Sequence, residues 1–328
     1  MKRVILSYDY ELFFGDRSGT VEKSLIQPTN RLLDCMESVG FKGNFFVDWQ
    51  MLKFMKEEGT ERTTFDYEMI VAQLKDIVRR GHRIELHIHP HWVDAKYNGD
   101  GTWDFSNFTH YSLNSFSEKE IIQMFEEGVS LLTNIAREVE PDYKIVAFRA
   151  GGWAVQPFTS LKKAFRKTGI KIDSSVMRGA YAHNDGSYYD FRNAPFARNG
   201  FYRFEDDVCQ EKTDGTFIEV PISNVKLGFI YKFIRRIYTF LTNQKIISLT
   251  DGSHERKSNP ACDKVKKDRV SFTFSYVNPW NIKFAQFVNK SVCICYIDHP
   301  KDYTNNTEKA ISTLSSMSVE SVYYKDLI

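Results

Sequence analysis

An α/β fold built on a parallel sheet or barrel is what this 328-residue sequence predicts. Two observations carry the prediction. Strand patterns and amphipathic helical patterns alternate from residue 4 onward, and the charged and imidazole side chains fall where predicted strands end, which is where such folds place their chemistry. Length agrees, since α/β barrels commonly reach this size as one domain. One domain spanning residues 1–328, with insertions, is therefore expected.

Residues 4–8 read as the first strand, leaving through Ser7-Tyr8-Asp9-Tyr10-Glu11. At a period of two, Asp9 and Glu11 point the same way. If buried, each needs a partner; solvated acids are the plainer alternative. A helical pattern over 24–39 stops at Gly40, and 43–48 reads as a second strand. A further amphipathic helix over 66–80 stops at Gly81, and 81–86 makes a short buried third strand.

His87, His89 and His91 then fall within five residues. Pro90 forbids a regular helix there, so a strand running into a tight turn can aim His87 and His91 at one centre. Neutral imidazole is a good ligand for zinc and similar ions, and a catalytic site adds a carboxylate and leaves a position for water. His89 is expected to face elsewhere or to support the site from behind. In isolation the pattern reads equally well as three solvated loop histidines. The long polar stretch that follows, to residue 116, carries Trp92, Tyr97, Trp103, Phe105, Phe108 and Tyr111, which suits either the wall of a substrate cleft or a cover for the core.

Ser117-Glu118-Lys119-Glu120 opens a long helix with a capping-box pattern. Residues 144–148 form a fourth strand leading to Arg149-Ala150-Gly151-Gly152-Trp153. Paired glycines imply a close backbone approach, and Arg149 can pin a carboxylate through two parallel hydrogen bonds; an ordinary surface ion pair is the alternative. A helix over 158–169 leads to a fifth strand, 170–172, ending in Asp173-Ser174-Ser175. Loop is expected from 176 to 203 and a strand over 216–222.

The stretch 226–249 is basic and strongly apolar, read as the core helix of an insertion in preference to a helix lying on a membrane surface. After an exposed connection over 251–268 come a strand (270–274), a helix (280–288) and a buried strand (291–297) that leaves through Asp298-His299-Pro300. A lone core histidine is conceivable there, but the other strand-end groups favour catalysis for His299.

Composition narrows the field. A formal charge of +2 gives no reason to expect nucleic-acid binding, and 42% hydrophobic with 26% charged residues is ordinary globular composition. The 26 Phe, 17 Tyr and 5 Trp are mostly core, with some available to hold sugar rings. Five cysteines without ligand-like spacing fit a reducing compartment. The first apolar run is too short for a signal peptide and no stretch reaches membrane-spanning length, so cytoplasmic placement is expected, with membrane-surface contact not favoured.

Taken in order, the strand-end motifs resemble those of the polysaccharide deacetylases of the NodB-homology group, carbohydrate esterase family 4. That family has a D-D motif after the first strand, then H-S/T-x-x-H, R-x-P-x-G and a late leucine-x-histidine. The counterparts are Asp9-Tyr10-Glu11, His87 to His91, Arg149-Ala150-Gly151-Gly152-Trp153 and Ile297-Asp298-His299, with Asn44-Phe45-Phe46-Val47 and Ile172-Asp173-Ser174-Ser175 similar to further family strands. The sequence departs from the family in its D-x-E spacing and in Gly151 where the family has proline.

The resemblance implies a distorted (β/α) barrel with an inserted segment before the last barrel strand, residues 176–290 being unlike the family. It implies a metal-dependent hydrolase that removes N-acetyl or O-acetyl groups from a saccharide or glycan precursor. An amidohydrolase acting on a small non-sugar amide and a non-catalytic glycan-binding protein are the alternatives. Glu11, His87 and His91 would hold a divalent metal, zinc by preference. Asp9 would act as base, held by Arg149, and His299 as acid, kept charged by Asp298 or Asp173. Trp92, Trp153, Gly151 and Gly152 would contact the sugar.

Overall fold

In a computed structural model of the chain, residues 2–184, 187–226, 228, 233, 236–238, 245–255 and 269–328 are described. Most of the basic apolar stretch 226–249 and of the connection 251–268 lies outside them.

The first three strands, β1 (Lys2–Tyr10), β2 (Gly43–Asp48) and β3 (Arg83–Ile88), are almost wholly buried. They are followed in the main sheet by β4 (Ala147–Ala150), β5 (Ile172–Asp173), β6 (Tyr202–Phe204), β7 (Phe217–Glu219), β8 (Cys293–Asp298) and β9 (Val319–Ser321). The order across the sheet is β6-β7-β5-β4-β3-β2-β1-β8, with β9 pairing the start of β1. Every pairing is parallel except that between β6 and β7. The result is the expected α/β class, a sheet curled into a half-barrel. It stays open between β6 and β8, where Ser223 and Phe272 bond to the free edge of β8 through Cys295 and Ile297.

Seven helices are described: α1 (Gln27–Ser38), α2 (Trp49–Glu58), α3 (Glu61–Arg79), α4 (Glu118–Arg137), α5 (Lys162–Thr168), α6 (Pro279–Val288) and α7 (Thr307–Ser315). Their starts follow local chemistry. Ser117 caps α4 with Glu120 returning the bond, as the pattern of those residues predicts, and Thr60 caps α3 together with Thr63. The expected helix over 66–80 begins five residues earlier, and α2 is an additional helix closed by Gly59 at φ +63°. The stretch 270–274 is not a strand of the main sheet; Arg269–Ser271 pairs antiparallel with Asn224–Lys226. Conversely, the segment expected to be inserted supplies β6 and β7.

Helices cover one face of the sheet, burying Val4, Leu6, Tyr8, Phe45, Leu86 and Phe148. The opposite face encloses a smaller apolar cluster of Ile5, Phe46, Ala147, Ile172, Ile218, Cys293 and Cys295, against which Tyr324 packs. Alternation makes the second cluster the base of the site: Ser7, Asp9 and Glu11 continue the row that begins with Ile5. No helix among the described residues is long and apolar enough to cross a membrane.

Candidate active site

Above that base, polar groups replace the apolar ones. Arg149 is fully buried, its guanidinium 4.2 Å over the Phe46 ring. It donates to Asp9 Oδ1 at 2.5 Å, Ser7 Oγ at 2.9 Å, Ser174 Oγ at 3.1 Å, the Ser174 carbonyl at 2.8 Å and Tyr324 Oη at 3.2 Å. The arginine thus binds one oxygen of one carboxylate and spends its other donors on neutral acceptors, so the expected pair of parallel bonds is absent. Asp9 Oδ2 is left 4.0 Å from His87 Nε2 and 3.6 Å from His299 Nε2.

Glu11 follows directly after β1, two residues beyond Asp9 and on the same side. Its Oε2 lies 2.9 Å from His87 Nε2 and 2.6 Å from His89 Nε2, while Oε1 accepts from Lys301 Nζ at 2.7 Å. Burial alone would raise this carboxyl, but His89, Lys301 and His87 hold it well below the usual carboxylate range. His87 Nδ1 donates to the Arg149 carbonyl at 2.7 Å, which aims Nε2 at Glu11. Burial works against its protonated form, yet Asp9 and Glu11 raise it overall. Burial takes His89 the other way, down to about 4.

His299 completes the ring. Burial lowers its imidazole, but the hydrogen bond and charge of Asp302, 3.1 Å from Nδ1, together with Asp9, raise it to about 9. Asp302 also takes His254 Nε2 at 2.6 Å. These groups open onto a cleft of about 360 Å³ whose walls include Phe14, Tyr111, Gly152, Trp153, Tyr189 and His254.

Several sequence expectations land elsewhere. His91 is buried among Phe14, Phe105, Phe108 and Tyr111, with ring centroids 4.4 to 5.9 Å away. It belongs to neither set of three potential ligands found among the described residues. The extended backbone runs on to His89, so period two puts His87 and His89 on one side; Pro90 then starts a 3-10 turn, Pro90–Asp94, that carries His91 away. Trp92 is not in the cleft wall: it is fully buried against Trp103 and Phe105, and Nε1 donates to Asp48 at 2.6 Å. Trp153 does line the cleft, in the left-handed region at φ +61°.

Asp298 does not reach the His299 ring. Its oxygens take the amides of Phe274 and His299 and the hydroxyl of Ser275. Asp173 faces Ser175 and shares a hydrogen bond with Glu219. Asp302 and Lys301 are the groups that sequence reasoning passed over. One signal was present, since His299 and Asp302 are three apart after a turn-setting Pro300, a spacing that brings both onto one 3-10 turn.

Gly151 and Gly152 owe their identity to crowding. A Cβ on Gly151 would lie 2.6 Å from the Ile88 carbonyl oxygen and 2.7 Å from His89 Nδ1; on Gly152 it would meet Tyr111 Oη at 2.6 Å. Gly152 also has φ +57°, so only the second of the pair needs glycine for its backbone conformation.

The donor set suits a divalent cation. Glu11, His87 and His89 each offer one atom, all within 4.8 Å of one another, and two imidazoles with one carboxylate is a known zinc set. The carbonyl on His87 Nδ1 is the outer partner such a ligand commonly has.

No protein-family model and no curated protein matches this chain. Among solved structures it is similar to a Mycobacterium smegmatis protein named as a polysaccharide deacetylase, at 13% identity over 99% of this chain and 88% of that one, with TM-score 0.48. It is also similar to 4-alpha-glucanotransferase from Thermococcus litoralis (11%, 99% and 40%, TM-score 0.49) and to the allantoinase Puue (8%, 99% and 88%, TM-score 0.46). Likenesses of this degree concern the fold alone.

Proposed function

We propose that this protein is a metal-dependent hydrolase that removes acetyl groups from a saccharide or glycan precursor. The observation that carries the proposal is the meeting, in one cleft, of a carboxylate held by a buried arginine, an imidazole held by a second carboxylate, and a donor set for one cation. An amide or ester hydrolase needs those three parts: a base for water, an acid for the leaving group and a stabiliser for the tetrahedral oxyanion.

Glu11, His87 and His89 would hold the ion. When bound, it would polarise the acetyl carbonyl and lower the pKa of a coordinated water. Asp9 would accept that water's proton at Oδ2, since Arg149 occupies Oδ1. His299, oriented by Asp302 and open to the cleft, would pass a proton from Nε2 to the departing amine or alcohol. Trp153 and Tyr189, edge to face at 5.9 Å, supply an aromatic wall suited to a sugar ring.

Acetate release from a panel of N- and O-acetylated saccharides, with and without a chelator, tests the proposal. Release that stops with chelator and returns on adding zinc is expected. Release that ignores the chelator would rule out the metal, and binding of an acetylated sugar with no acetate formed would rule out the hydrolase.

A further inference from the structure

Lys301 stands in an unusual place for a cation. It is buried, and Nζ donates to Glu11 Oε1 at 2.7 Å and to the Leu12 carbonyl at 2.8 Å. The ammonium also sits 4.8 Å from the Phe14 ring centroid and 5.5 Å from that of Phe13, two faces that favour a positive charge. Pro300 opens the 3-10 turn that brings Lys301 under the exit of β1, so the contact belongs to the fold. Glu11 is thereby shared: one oxygen faces the lysine and the other faces the two imidazoles.

From this we propose that Lys301 is a built-in cation that sets how tightly the Glu11, His87 and His89 site holds a metal ion, keeping it weak and exchangeable. The inference rests on reading those three residues as ligands. Its physical basis is charge. The two carboxylates at the end of β1 are matched by two buried cations, Arg149 on Asp9 and Lys301 on Glu11. An incoming dication therefore gains no unneutralised carboxylate, and it is repelled by an ammonium fixed on the far side of its own ligand. Lys301 also engages Oε1, which confines Glu11 to a one-oxygen contact through Oε2. The same arrangement keeps Glu11 compensated without any metal, so the site does not depend on an ion to exist.

Cobalt(II) titration of the purified full chain, followed by visible absorption, reads this without recourse to activity. Lys301→Met is expected to bind cobalt at least about tenfold more tightly than the wild type, whereas Lys301→Arg, which keeps the charge, should stay close to it. Chelator should leave the wild-type melting temperature unchanged, and cobalt should raise that of Lys301→Met more than that of the wild type. If Lys301→Met does not fold, Lys301→Gln provides the uncharged comparison. Equal or weaker cobalt binding by the uncharged variant would overturn the role of Lys301 while leaving the metal site intact. Absence of any cobalt spectrum in wild type and variants alike would overturn the ligand reading itself.

Discussion

His299 meets three carboxylates: Asp302 at 3.1 Å on Nδ1, and Asp9 and Glu11 at 3.6 and 3.7 Å on Nε2. Asp302 is the only one of the three on Nδ1, so it decides which way the ring turns and which nitrogen faces the substrate. His299→Ala is expected to lower kcat by about 10²- to 10⁴-fold, the usual worth of a general acid, with unchanged metal content by elemental analysis. Asp302→Asn should lower kcat less and leave KM alone, because the ring loses orientation and charge support while the ligands stay. Wild-type kcat in the His299→Ala protein would remove His299 from the chemistry.

At the scale of elements, the turn after β4 and the end of β3 are built against each other. His87 bonds the Arg149 carbonyl, and Gly151 lies directly on Ile88 and His89. A methyl group at Gly151 has nowhere to go, since one of its neighbours is backbone. Gly151→Ala should therefore cost about 1–3 kcal/mol of stability in urea denaturation and also weaken metal binding, as His89 is displaced. Stability and cobalt affinity both equal to wild type would show that the two segments are free to separate. The stretch from 89 to 116 is likewise packed from within: Trp92, Trp103 and Phe105 are buried together, while His89 and Tyr111 line the cleft.

Across the whole molecule, acid sensitivity should have a contribution far from the site. His82, at the start of β3, accepts the Gly43 amide on Nδ1 at 2.9 Å and joins the beginnings of β2 and β3. A ring nitrogen that accepts carries no proton, and burial lowers this imidazole to about 4 against an ordinary value of 6.5. The unfolded chain therefore binds the proton first. Stability from His82 is fully present above pH 6.5 and is lost as the pH falls towards 4, by up to about 3 kcal/mol. Urea unfolding at pH 7 and 4.5 checks this: His82→Gln should narrow the difference between the two pH values, and an undiminished difference would assign the acid lability to other groups.

Much of the architecture was legible in the residues because it depends on local periodicity. Alternating strand and helix patterns gave the α/β class, and period two put Asp9 with Glu11 on one side, while leaving open whether they are buried with partners or solvated. The positions of Arg149 and His299 beside Asp9 were legible because a strand end followed by Gly-Gly or by proline leaves a side chain at a defined place. Which histidine joins Glu11 was not legible, since it turns on whether the extended backbone stops at residue 87 or at 89, and neighbouring strands decide that. Lys301, Asp302 and the burial of Trp92 depend likewise on what the rest of the chain packs against them. Sequence alone determined the repeating order of elements and the row of groups at the end of β1; the tertiary structure decided the partners, because a charge or a ring commits to a neighbour only when burial removes water as the alternative.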